Sequence, residues 1–211
     1  MSEIAFFAVA VLTLFAIVDP IGTLPFFVAL TQGFSTEDRN LVSRRAAIVL
    51  GSILAVFALL GRFLFAVFGF TLGAFEIAGG ILLFLVAFDM LQGEVTRTKF
   101  TAQDHEAAAA RRDEIAVVPL GIPLLAGPGA ISTVMIYEGS SGSDPWTVVA
   151  TFVAILIVAS AAFVVLRFGH PILDRLGRTG VMAMTRVLGL ILAALGVQFV
   201  LNGVAASIPH L

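Results

Sequence analysis

The chain has no cysteine, which excludes disulfide staples, thiolate metal sites and cysteine nucleophiles. Its three histidines, His105, His170 and His210, are far apart and show no HxxE or HExxH spacing, so no metal centre and no cofactor are expected. Charge is scarce: Asp, Glu, Lys and Arg make up 12% of the 211 residues, about half the share in an ordinary globular domain. A net charge of −2 leaves no basic field to attract nucleic acid. No phosphate-binding loop is present, which argues against an ATP-driven pump. What is plentiful is apolar. The set AVILMFWYC supplies 59% of the residues, with 20 glycines besides, and the mean hydropathy is +1.06. A single water-soluble domain is excluded, and lipid must solvate most of the outside.

Apolar stretches of about 20 residues predict six spans: Ile4–Leu30, Ala46–Phe68, Leu72–Gly93, Ile115–Tyr137, Trp146–Leu166 and Val187–Ala206. The fold class expected is an all-α membrane protein. The first segment has no basic residue ahead of its apolar run, which leads into Asp19-Pro20, so it reads as a retained helix rather than a cleaved signal. Arg39, Arg44 and Arg45 follow span 1, while Arg97, Lys99, Arg111 and Arg112 follow span 3. Arg167, Arg175, Arg178 and Arg186 separate spans 5 and 6, and only Arg62 falls on the other side. This 11-to-1 division predicts that the basic loops are cytoplasmic and both termini outside. The charged segment 94–114 reads as a linker between two three-helix units, 1–93 and 115–211. Gly139–Asp144 reads as a turn.

Three spans on each side of a cytoplasmic linker enter the membrane from opposite faces. Asp19-Pro20-Ile21-Gly22 corresponds to Gly127-Pro128-Gly129-Ala130, with the prolines offset by 108 residues. Gly79 and Gly93 correspond to Gly189 and Gly203 at an offset of 110. Inverted repeats with interrupted helices at matching positions point to a secondary transporter's binding site.

The interruptions have a chemistry. Proline lacks a backbone donor and disfavours helix at the residue before it. Asp19-Pro20 is also a helix-start signal, acid at the cap and proline at the first helical position. Spans 1 and 4 are therefore expected to stop and restart near mid-membrane. A restart presents free N–H groups and the positive end of a helix dipole, which would receive a substrate carboxylate. Gly22, Gly127 and Gly129 permit close approach, and Thr23, Ser132 and Thr133 bring hydroxyls. The expected substrate-binding set is Asp19, Pro20, Gly22, Thr23, Gly127, Pro128, Gly129, Ser132 and Thr133. Asp19 reads either as a cap or as a proton carrier. Asp89 reads as a side chain snorkelling to the surface, with a proton relay as its second role. Glu76 and Arg62 are expected to pair at the outer face, and Gln198 and Asn202 to bond between helices. Gly69 and Gly73 fit the small-xxx-small spacing, which leaves a homo-oligomer open.

At these residues the chain resembles the MarC/SnatA family of integral membrane proteins. The matching segments are Val18-Asp-Pro-Ile-Gly-Thr-Leu-Pro25, Ile77-Ala-Gly-Gly-Ile-Leu-Leu83, and Val118-Pro-Leu-Gly-Ile-Pro-Leu-Leu-Ala-Gly-Pro-Gly-Ala-Ile-Ser-Thr133. Leu176-Gly-Arg-Thr-Gly180, Thr185-Arg-Val-Leu-Gly189 and Gly196-Val-Gln-Phe-Val-Leu-Asn-Gly203 match as well. The resemblance implies six spans, an inner-membrane location and, for the transporting branch, proton-coupled uptake of small neutral amino acids such as glycine, alanine and serine. Two other readings stand beside it: a channel or exporter for another small solute, and a non-transporting membrane regulator that makes contact through the 94–114 linker. An intramembrane enzyme is not expected, because Asp19 and Asp89 sit at different depths and Ser132 has no histidine at helical spacing.

Overall fold

A computed structural model describes residues 3–69, 71–92, 112–140, 145–173 and 177–207. Arg97, Lys99, His105, Arg111, residues 141–144, Arg175 and His210 lie outside the described residues, as does most of the 94–114 linker. The described chain is all helical: α1 Glu3–Val18, α2 Pro20–Leu30, α3 Thr36–Phe68, α4 Leu72–Gln92, α5 Ala116–Leu125, α6 Pro128–Ser140, α7 Pro145–Leu173 and α8 Gly177–Ser207. Five helices are long and apolar enough to cross a membrane, the first being Glu3–Leu30 as one run. The bent pair Arg112–Leu125 and Pro128–Glu138, angled by 62°, makes a sixth if counted as one span.

Leu12, Phe63, Phe68, Leu156, Phe168 and Leu190 are each more than 60% exposed. Such a surface is stable only against hydrocarbon. The protein core proper is formed by Leu14, Phe27, Leu50, Leu54, Leu83, Leu120, Ile131, Leu166 and Leu192.

Helix α3 starts at Thr36, ten residues ahead of its expected apolar start. Ser35 accepts a 3.1 Å hydrogen bond from the Asp38 N–H, and Glu37 and Asp38 occupy the first turn. Cap and dipole together extend the helix beyond its apolar part. Its 33 residues span about 50 Å, more than the roughly 30 Å of hydrocarbon, so its polar first turns stand clear. There Arg112 pairs with Asp38 and Asp113 pairs with Arg45, tying the end of the 94–114 segment to α3.

Helices α4 and α8 pack along their length, backbone against backbone, at two pairs of glycines. A Cβ placed on Gly80 would lie 2.5 Å from the Gly196 carbonyl oxygen, and one on Gly73 would lie 2.6 Å from that of Gly203. Only glycine tolerates this approach, as at small-residue crossings of membrane helices generally. Gly73 is thus committed to an internal contact, which is where the small-xxx-small spacing is used. Gln198 and Asn202 likewise depart from expectation: Gln198 Nε2 donates to Asn202 Oδ1 at 2.7 Å within α8, because residues one turn apart on one helix face already meet.

Candidate functional site

The first interruption is small. Asp19 has φ 42° and ψ 64°, in the left-handed region, and its side chain accepts a 2.9 Å hydrogen bond from the Gly22 N–H. Pro20 occupies the first helical position of α2. The Asp19 N–H still donates to Phe15, and its carbonyl still accepts from Thr23. The side-chain hydroxyl of Thr23 also donates to that carbonyl, at 3.0 Å. At the start of α2, Pro20 has no N–H to offer and the Asp19 side chain takes the Gly22 N–H. Asp19 and Gly22 are exposed at the outside of the bundle, while Pro20 and Thr23 are buried.

The second interruption is larger. Val118 and Ile122 take extended backbone angles inside α5, each preceding a cis-proline, Pro119 and Pro123. The Ala126 N–H reaches back five residues to Gly121 at 2.9 Å. Helix α6 then starts at Pro128, with Gly127 in the cap position, where no side chain can serve as a cap. Its first internal hydrogen bond is Ile131 N–H to Gly127. Among the described residues, the N–H groups of Gly129 and Ala130 have no hydrogen-bond partner. Ser132 and Thr133 lie one turn on, and both hydroxyls donate to the Gly129 carbonyl, at 2.9 and 2.8 Å.

A cavity of about 210 Å³ opens at this helix start. Gly127, Pro128, Gly129 and Ala130 form one wall, and Ile17, Leu124 and Phe199 supply apolar surface. Glu76 and Asn202 complete the lining. At roughly 30 Å³ per water, the space suits a solute of a few heavy atoms. Of the expected binding residues, Gly127, Pro128 and Gly129 line the cavity; Asp19, Pro20, Gly22, Thr23, Ser132 and Thr133 do not.

The residue that sequence reasoning misplaced is Glu76. It is half-buried in the second turn of α4, and among the described residues it has neither an ion pair nor a hydrogen bond, so it does not pair with Arg62. It faces the α6 cavity because the α4–α8 glycine contacts at Gly73 and Gly80 bracket it and fix its height beside Asn202. The available signal was an acid inside an apolar span, and the expected pairing with Arg62 obscured it. Asp89, in the last turn of α4, is exposed and away from this cavity. The described residues hold no cluster of metal-ligating side chains.

The profile of the MarC family integral membrane proteins matches residues 4–208. The chain belongs to the MarC family. The UPF0056 membrane protein of Pyrococcus abyssi is 39% identical over 95% of this chain and 95% of its own. A UPF0056 membrane protein of Methanocaldococcus jannaschii is 38% identical over 98% of this chain and 99% of its own. The UPF0056 membrane protein YvbG of Bacillus subtilis is 34% identical over 95% and 94%. No solved structure matches. Like these relatives, this MarC family member is an integral, multi-pass membrane protein.

Proposed function

We propose that the chain is a proton-coupled secondary transporter of small neutral amino acids, of the glycine, alanine and serine type. The observation that carries this reading is the unpartnered Glu76 carboxylate lining the same small cavity as the uncapped start of α6. The Gly129 and Ala130 N–H groups receive the substrate carboxylate, as helix starts receive anions. Ile17, Leu124 and Phe199 limit the side chain to a small one. Glu76 carries the coupled proton, because it is the acid that lines the cavity in which the substrate sits. Asp19 and Asp89, the other candidates for proton coupling, lie outside this cavity, and Asp19 serves as a helix cap.

The reading includes two inverted three-helix repeats, with breaks at Asp19 and in the Leu125–Pro128 region serving as matching interruptions. Contacts between elements support it. Helices α1 and α2 pack on α7 as α5 and α6 pack on α3, and α2 meets α8 as α6 meets α4. The α4–α8 and α3–α7 contacts each join an element to its counterpart. The basic loops are then cytoplasmic, both termini lie outside and the location is the inner membrane.

Purified protein in proteoliposomes tests the proposal. Glycine, alanine or serine should accumulate under an imposed proton gradient, and E76Q should lose the accumulation while retaining substrate binding. Neither binding nor movement of any of the three would overturn it, as would unchanged proton-driven accumulation in E76Q. Ion conductance without a gradient would favour a channel instead.

A further inference from the structure

Away from the α6 cavity, helices α3 and α7 enclose an apolar groove of about 520 Å³. Its floor is made of small residues, Ala47, Gly51 and Ala159, and its walls include Ile155 and Phe163. The groove shares Arg44 and Phe163 with an adjoining polar cavity of about 390 Å³, which Glu37, Asp38, Arg112 and Arg167 also line. One end of a hydrophobic trough therefore opens into a cluster of three arginines and two acids.

The charges in that cluster do not cancel. Asp38 is already paired with Arg112. Arg44 has no ion-pair partner among the described residues. Arg167 lies over the rings of Phe163 and Phe168, 5.6 Å from each centroid, with no carboxylate partner among the described residues. Against these two uncommitted cations stands one exposed acid, Glu37, leaving a net single positive charge. Among the described residues, the buried Arg112 Nε has no acceptor. A planar guanidinium favours phosphate oxygens, and basic pockets between membrane helices at the membrane–water boundary fit anionic lipid headgroups.

We propose that this composite cavity binds one anionic phospholipid, with its phosphodiester between Arg44 and Arg167 and an acyl chain along the α3–α7 groove. Two features select this occupant. The apolar groove is continuous with the cationic end, and inorganic phosphate makes no use of it. A second copy docked symmetrically would bring the same two arginines of both copies into one patch, adding like charges where a negative group is called for.

Native mass spectrometry of the purified chain, offered phosphatidylglycerol and phosphatidylcholine with identical acyl chains, tests the site. The wild type should retain one phosphatidylglycerol in clear preference. Each arginine contributes about fivefold, so R44Q/R167Q should lower that preference about 25-fold. The variant S160F fills the groove from its exposed edge and should lower retention of both lipids, with thermal unfolding confirming the fold. Millimolar inorganic phosphate should displace neither. Equal retention of the two lipids by the wild type would overturn the proposal, as would unchanged preference in R44Q/R167Q. Displacement by phosphate would make this an anion site only. A changed monomer–dimer ratio in S160F with unchanged lipid retention would make the groove an interface between copies; either result overturns the lipid site.

Discussion

The α4–α8 seam makes a sharp prediction, because its two glycine pairs have so little room. In G80A the new Cβ would stand 2.5 Å from the Gly196 carbonyl oxygen, and in G196A it would stand 2.6 Å from that of Gly80. Both obstacles are backbone, so no side chain can swing aside. Ordinary contact begins near 3.4 Å, so the helices must part by about 0.9 Å along a seam that is otherwise close-packed. Overpacking of this kind costs about 1–3 kcal/mol, against a helix-propensity gain of about 1 kcal/mol for replacing glycine by alanine. At roughly 2–4 °C per kcal/mol for a chain of this length, each variant should melt up to about 8 °C lower. The control is G51A, whose Cβ would meet Ala159 at an ordinary 3.5 Å; it should melt at the wild-type temperature or above. The same parting moves Glu76 on α4 relative to Phe199 and Asn202 on α8, so G80A should also weaken glycine binding while G51A should not. Thermal unfolding in detergent, with and without glycine, reads both effects. If G80A melts with G51A, the close backbone contact is not what holds these helices, and the reasoning fails.

Three further outcomes follow from the same geometry. D19N should retain stability and transport, since asparagine both caps a helix and tolerates the left-handed backbone, whereas D19A should lose about 2 kcal/mol in thermal or denaturant unfolding. The Asp38–Arg112 pair is partly exposed, with side chains 28% and 25% accessible, so a double-mutant cycle of D38N and R112Q should return a coupling of about 0.5–1 kcal/mol. Radiolabelled glycine should enter proteoliposomes under an imposed proton gradient and not under a sodium gradient, and E76Q should abolish the proton-driven uptake.

Much of this arrangement is legible in the sequence, and the reasons are physical. A bilayer imposes a length and an apolar composition on every span, so the six predicted segments coincide with the five long helices and the bent α5–α6 pair. Asp19-Pro20 announces its own cap because the interaction is local, three residues to Gly22. Pro128 announces the start of α6 for the same reason. Glu76 was not legible, because its surroundings depend on how α4 and α8 cross, and that crossing depends on glycines 116 residues apart at Gly80 and Gly196. A carboxylate four residues inside an apolar segment looks alike whether it faces a partner arginine or a cavity. The residues expected on α2 lie outside the α6 cavity, and there Asp19 already takes the Gly22 N–H. The glycine that follows in α6 cannot cap, and so the donors there stay open.

That difference between the two helix starts decides where an anion can bind and why a proton should accompany it. At Asp19 the protein supplies its own negative group, so the positive end of α2 is already compensated. At Gly127 it supplies none, and the nearest acid, Glu76, comes from another helix and makes no hydrogen bond to the α6 start. A helix terminus favours a nearby negative charge by up to about 2 kcal/mol. A bound amino acid brings a carboxylate for that start and an ammonium beside it, so the charge on Glu76, the acid lining the same cavity, bears directly on its affinity. By reciprocity the substrate then biases the proton as the proton biases the substrate. Proton coupling in this reading therefore requires no dedicated relay, only one helix start left uncapped and one acid held beside it by a glycine seam.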